Sequence, residues 1–288
     1  MRADVAAQSQ LATLFDLLQL GPAPQEGDEL PPLAHSLYFH AWGRMSETTE
    51  SGDFLDPALP PIELPRRLCV ERNIRFHRPI RVGDPIWRFA HIVDAAERAG
   101  EAGPLVTLRL RHDIADCEGV AISEDRRVLY MARGEPLPVR PFLALRSPAI
   151  WLREYRADPR ALFSYSALTR DKSRVHYDRP FATFVEGHPG LVVQTDLAAT
   201  LLLDLLREHA PNARLIGCEL HTRRWLHDTG PLRLFGRPRG TGAADLWAED
   251  AQGRLAIEAV VNLENDPLET SPRPAAGNAA SPARANPS

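Results

Sequence analysis

Apolar residues recur at helical spacing near the start of the chain. Val5, Leu11, Leu14, Phe15, Leu18 and Leu20 share much of one face and predict a helix over 5–20. Residues 21–65 break that pattern. Proline, glycine and acids dominate, including Pro31-Pro32 and Pro60-Pro61, so the stretch reads as irregular around a short helical piece at 34–44. Four strand-like segments follow: Cys69–Phe76, Ile86–Ala95, Leu105–Ile114 and Val120–Ala132. In the third, Leu108, Leu110 and Ile114 alternate with Arg109 and Arg111. Consecutive strands joined by turns such as Gly83-Asp84 and Glu118-Gly119 predict an antiparallel sheet. Tyr165 and Ser166 read as strand residues. Thr195 to His209 predicts a helix, and its nearly all-round leucines predict that it is buried. Four further strands are expected at 214–226, 231–239, 243–250 and 254–264.

The second set of strands repeats the first. Arg78-Pro-Ile-Arg-Val-Gly-Asp-Pro-Ile-Trp-Arg-Phe89 lies over Arg224-Trp-Leu-His-Asp-Thr-Gly-Pro-Leu-Arg-Leu-Phe235 without a gap. Each half then has a last strand introduced by glycine, at Gly119-Val-Ala-Ile and Gly253-Arg-Leu-Ala-Ile. Two copies of one α+β unit are expected, with sheets able to pair edge to edge. The boundaries are 1–133 for the first unit, 134–150 for a proline-rich linker, 151–265 for the second unit and 266–288 for a disordered tail.

Composition narrows the function. The net charge is −4 and no basic stripe suits a nucleic-acid backbone. Lys172 is the lone lysine, so an isolated arginine is a weak sign of phosphate recognition. Cys69, Cys117 and Cys218 are widely spaced, which argues against a disulfide framework and a thiolate metal site and suits a reducing compartment, the cytoplasm. No signal-peptide core or membrane-length apolar run is apparent. His35, His40 and His77 lack metal-site spacing, and Gly240-Thr-Gly reads as a hairpin turn.

The most unusual local sequence is Tyr165-Ser-Ala-Leu-Thr-Arg-Asp171-Lys-Ser-Arg-Val-His176-Tyr-Asp178-Arg-Pro-Phe-Ala182. An acid and a histidine stand five apart. A plain helix or strand would not aim both at one point, whereas a turn or short irregular helix would. Arg170 and Arg174 flank the pair and read either as partners of a substrate carboxylate or as solvated surface arginines. His188 sits between glycine and proline, in a turn or a pocket wall.

This segment resembles the hydratase motif of MaoC-like enzymes and R-specific enoyl-CoA hydratases. Glu186-Gly-His-Pro-Gly-Leu-Val-Val193 and Leu197-Ala-Ala-Thr-Leu-Leu-Leu203 are similar to the glycine-containing turn and central helix of that fold. Leu30-Pro-Pro-Leu33, Leu64-Pro-Arg-Arg67, Phe76-His-Arg-Pro-Ile-Arg-Val-Gly-Asp84 and Arg174-Val-His-Tyr-Asp178 resemble more closely the branch with mesaconyl-CoA and itaconyl-CoA hydratases. The resemblance implies a double hotdog fold: two antiparallel sheets, each associated with a helix, and a degenerate first half. It also implies Asp171 and His176 as the groups that position and activate water. Substrate contacts would come from Arg170, Arg174, His188, Gly190 and Thr195, the last through its N–H. The implied activity is hydration of an enoyl-CoA, sharpened to mesaconyl- or itaconyl-CoA going to citramalyl-CoA. The acyl-CoA is then the partner, with no metal or redox cofactor, no nucleic acid and no membrane, and a homodimer stays open. The chain departs from the family where Gln194-Thr195-Asp196 replaces a His-Gly pair, which sets a carboxylate beside the expected oxyanion donor. Two alternatives are a thioesterase, whose acid would be Asp204 on the central helix, and an acyl-CoA binding module without catalysis.

Overall fold

The computed structural model describes residues 1–40, 48–52, 59–135, 137 and 148–264. The expected tail and most of the expected linker lie outside the described residues. Ten strands form one antiparallel sheet: β1 Arg2–Val5, β2 Arg66–Phe76, β3 Pro85–Ala99, β4 Pro104–Asp116, β5 Gly119–Met131, β6 Trp151–Tyr155, β7 Arg214–Thr222, β8 Leu232–Pro238, β9 Ala243–Glu249 and β10 Leu255–Glu264. Among the described residues three α-helices accompany it: α1 Gln8–Leu18, α2 Pro159–Thr169 and α3 Thr195–His209. Among the described residues no helix is long and apolar enough to cross a membrane.

The eight strands expected from the sequence are present with shifted ends. Two edge strands and one helix are additions. β1 is four residues and β6 five, too short to show a period. Tyr165 and Ser166, expected in a strand, lie on α2. Asp158 caps that helix through the Arg160 N–H at 2.7 Å, and Pro159 opens it. The expected helix at 34–44 is a single 3-10 turn, Ala34–Leu37, with 41–47 outside the described residues.

The strand order is β1-β3-β4-β5-β2-β7-β10-β9-β8-β6. Each half has the same internal order, and the halves join where β2 pairs with β7. The sequence repeat is a repeat of hydrogen bonds. His77 N–H donates to Ala121 O at 2.8 Å, and Arg223 N–H donates to Ala256 O at 2.7 Å. Even the irregularities match, at Ile114/Ala115 in the first half and at Leu255/Ile257 in the second.

The correspondence extends to the helices. α1 and α2 each have 11 residues and end in a left-handed residue, Gln19 at φ 54° and Arg170 at φ 53°. Further on, Glu29 bridges Arg81 as Val192 bridges His227, and Leu30 N–H reaches Ile80 O as Val193 N–H reaches Leu226 O. The turn Ala34–Leu37 therefore stands where α3 begins in the second unit. It stops after one turn, and the backbone leaves at Phe39 with φ 67°.

α3 is held by packing. Leu197, Leu201, Leu202 and Leu205 are no more than 1% exposed. Burying a leucine fully is worth about 1.5–3 kcal/mol, which outweighs the weak capping of this helix. Their neighbours in the core include Cys218, Leu246, Ala259 and Val261 on the sheet face below. The register places Arg72, His112, Glu124 and Arg126 at the corresponding positions of the first unit. The 3-10 turn reaches them through His35 and Ser36, Asp196 of α3 meets Arg72, and His112, Glu124 and Arg126 line a cavity.

Candidate active site

Asp171 is the residue after the left-handed cap of α2. That cap turns the chain sharply, and Asp171 Oδ1 then accepts the Ser173 N–H at 3.0 Å. This closes a local turn of the kind that Asp favours. A 3-10 turn, Arg174–His176, follows directly and aims the imidazole back. His176 Nε2 lies 3.4 Å from Asp171 Oδ2. The turn and the short irregular helix thus bring together two side chains that regular structure would separate.

The other ring nitrogen is fixed. His176 Nδ1 is 2.7 Å from Val192 O, and a carbonyl can only accept. The tautomer assigned from this bond carries its proton on Nδ1 and leaves Nε2 as the basic nitrogen. His176 is buried and Asp171 is half-buried. Burial alone would raise the Asp171 pKa. The imidazolium form of His176, by charge and hydrogen bond, together with the Ser173 N–H and Arg67, outweighs it and holds the carboxyl below its ordinary value.

Both side chains line a cavity of about 990 Å³. Thr195 lines it too, and because Thr195 opens α3 its N–H has no acceptor within the helix. The helix N-terminus adds its partial positive charge there. The carboxylate that the sequence places beside this donor is compensated. Asp196 Oδ1 accepts Arg72 Nη1 at 2.7 Å, and Arg72 comes from β2 of the first unit. Gln194 is held away, with Nε2 donating to Leu162 O and Ser166 Oγ, both at 2.9 Å.

The expected substrate contacts divide. Arg170, His188 and Thr195 line the cavity. Arg174 does not. Its guanidinium donates to Asp178 Oδ2 at 2.8 Å and lies over the Phe181 ring at 4.1 Å, so it braces the loop. Gly190 is not in the cavity wall either. A Cβ there would meet Asp228 Oδ1 at 2.5 Å, so this glycine permits close packing of the loop on the β7–β8 connection. His188 stacks edge-on against Trp225 and its Nδ1 is 3.2 Å from His227 Nε2. Burial, then the His227 and Arg66 charges, push His188 down to about 4, so it is neutral near pH 7.

Sequence reasoning missed the polar groups on the first unit's face. Arg72 is 1% exposed and Glu124 is fully buried. Arg72 Nε and Arg126 Nη2 both donate to Glu124, the second at 2.9 Å, and His35 Nε2 lies 3.5 Å from it. One signal was available. His112 falls in phase with Leu108, Leu110 and Ile114, a polar residue on the face that alternation marks as apolar. Asp204, the acid a thioesterase would use, is bound by Arg153 at 2.8 Å and by Arg207, and does not line the cavity.

The family model described as hydroxyacyl-thioester dehydratase type 2 matches residues 33–219. Mesaconyl-C(4)-CoA hydratase of Chloroflexus aurantiacus is 35% identical over 264 residues, covering 90% of this chain and 93% of its own. Two solved structures bear on the fold alone. A MaoC-like dehydratase from Phytophthora capsici matches with TM-score 0.65 and 15% identity, over 92% of this chain and 95% of that one. A Mycobacterium tuberculosis protein described as a double hotdog fold matches with TM-score 0.57 and 14% identity, over 91% and 93%. The matched span runs from the rudimentary turn of the first unit through the catalytic-type loop and α3 to β7. With two hotdog units in one sheet, this chain belongs to the hydroxyacyl-thioester dehydratase type 2, MaoC-like family, and is a hydro-lyase.

Proposed function

We propose that the chain adds water across the double bond of a branched dicarboxylic enoyl-CoA, such as mesaconyl- or itaconyl-CoA, to give citramalyl-CoA or a close analogue. The observation that carries this is the convergence of Asp171 and His176 on one point of the cavity wall. The 35% identical relative bears the name mesaconyl-C(4)-CoA hydratase.

In the proposed step both groups grip one water. Asp171 is ionised and accepts one of its protons in a hydrogen bond. His176 Nε2 removes the other proton, and the oxygen bonds to the β-carbon. The electrons of the double bond move toward the thioester carbonyl. Negative charge gathers on that oxygen, where the Thr195 N–H and the start of α3 hold it. The imidazolium then returns the proton to the α-carbon. Water is thus split between the two carbons with nothing left over. Asp171 steadies the imidazolium in between, and Val192 O keeps the ring from turning. The first unit supplies a wall of the cavity and no acid or base to the reaction.

The test uses crotonyl-, mesaconyl- and itaconyl-CoA, following enoyl thioester absorbance and free thiol together. Hydration without thiol release is expected, fastest on a dicarboxylic substrate. Thiol release would make the protein a thioesterase, and binding without turnover would make it a carrier. A cytoplasmic setting is part of the proposal, since Cys69, Cys117 and Cys218 are all free thiols.

A further inference from the structure

The first unit's face is polar where its counterpart is apolar. Arg72, His112, Glu124 and Arg126 occupy the places of Cys218, Leu246, Ala259 and Val261. Wetting by the cavity does not account for this. Arg72, Glu124 and His112 are each less than a tenth exposed. Two of the four are fully engaged. Arg72 spends its three nitrogens on Glu124, on Asp196 at 2.7 Å and on Ser36 Oγ at 3.0 Å. Glu124 is met by Arg72, Arg126 and His35. The other two are not. Arg126 gives one nitrogen to Glu124, and its buried Nε has no partner among the described residues. The buried Nδ1 of His112 has none among them either. Folded proteins seldom leave such atoms unmatched by protein, water or ligand, and these two residues border the cavity.

Charge points to the sign of that ligand. Around this face Arg72, Arg88 and Arg126 stand against Glu124 and Asp196, an excess of one cation. Burial, then the Arg126 charge, push His112 down to about 2, so it is a neutral imidazole able to donate one N–H. An excess of one positive charge matches a carboxylate's single negative charge better than a phosphate dianion's two, and guanidinium and N–H are both donors to it. The same cavity holds Asp171, His176 and Thr195. In a branched dicarboxylic enoyl thioester the free carboxylate is close to the carbons that react, so its cation must lie within the cavity and not at its mouth.

We propose that Arg126 and His112 form the subsite for the free carboxylate of the acyl group, on the sheet face that the shortened first-unit helix leaves bare. This rests on the dicarboxylic substrate class proposed above. The subsite selects substrates and takes no part in the proton transfers.

The experiment compares kcat/KM on mesaconyl-C(4)-CoA and crotonyl-CoA for the natural chain, Arg126→Val, His112→Leu and Arg170→Met. The first two variants import the second unit's residues. Arg126→Val is expected to lose about 10–100-fold on the dicarboxylic substrate, the range for a hydrogen bond to a charged group, mainly through KM. His112→Leu is expected to lose less, in the same direction. Both should keep crotonyl-CoA turnover within about threefold, which also reports that they fold. If the natural chain prefers the dicarboxylic substrate but neither variant changes that preference, or both substrates suffer equally, the subsite is wrong and the substrate class stands. A selective loss in Arg170→Met alone moves the carboxylate to the catalytic loop and also overturns the subsite. A natural chain that hydrates crotonyl-CoA and ignores dicarboxylic substrates overturns both.

Discussion

Leu20 and Asp171 occupy the same place in the two units, each one residue beyond a left-handed helix cap. Leu20 is buried in the core, whereas Asp171 reaches the cavity beside His176. After that point the units diverge in two opposite ways. The second unit inserts the loop that carries His176 and keeps a 15-residue central helix. The first unit goes from Leu20 straight to its bridge at Glu29, without that loop, and keeps a single turn of that helix. In the proposed function one copy carries the chemistry while the other provides the space. Neither change alone would suffice, because an acid and base over a fully packed face would have no room for a thioester.

The sharpest way to break this comparison is to give the second unit the first unit's residue. Asp171→Leu is expected to lower turnover about 10²–10⁴-fold, the range for lost acid–base assistance, with the fold intact by circular dichroism. His176→Ala should behave alike, and near-normal turnover in either would reject the assignment of roles.

A second change works on the bared face. Arg72→Cys copies Cys218 and strands Glu124 and Asp196 without their shared cation. The cost should be about 3 kcal/mol in denaturant unfolding, at the lower end for a broken buried pair because Asp196 is half-exposed. The triple change Arg72→Cys, Glu124→Ala and Arg126→Val converts three of the face's four positions to the second unit's residues. It should recover at least half of that loss, since no buried charge is left at those three positions. A triple variant less stable than the single one would show that the polar face is needed for folding itself.

The smallest expected effect is the first unit's share of the pH dependence. Burial alone would raise Glu124. The Arg126 and Arg72 charges and the His35 contact overcome it and hold the carboxyl well below its ordinary 4.5. A depressed folded value means the unfolded chain takes up the proton first. The stability from Glu124 is therefore complete above its ordinary value and is lost as pH falls below it. The melting temperature should hold from neutrality down to about pH 5 and then fall. Glu124→Gln should start lower and show a shallower acid slope. An unchanged slope would mean that other carboxylates carry the acid transition.

How much of this is visible in the sequence depends on the scale of the signal. Strands β2 to β5 and β7 to β10 are long, alternate in polarity and are punctuated by Gly83, Gly119 and Gly253, so their existence is legible. β1 and β6 are short edges defined by their neighbours' hydrogen bonds, which no local pattern encodes. α2 carried a capping signal in Asp158-Pro159, yet Tyr165 and Ser166 read as strand residues. At the site, the Asp171 and His176 pair stands out by type and spacing. The group that orients His176 is a main-chain carbonyl, Val192 O, and sequence hides such groups. Arg170 and Arg174 look alike on paper. They part because Asp178 lies one helical turn beyond Arg174 and captures it. The polar face was legible in principle, had the repeat been extended strand by strand to set Arg126 over Val261.

The join between β2 and β7 runs from Glu71 opposite His221 to Arg75 opposite Gly217, in the middle of a single ladder. A break in the gene between the two copies would therefore free two long strands at once, each with a raw row of amides and carbonyls seeking another chain. Such fragments would clump sooner than work. Their ancestry can be told apart, but in the finished molecule the copies must melt, and be inherited, together.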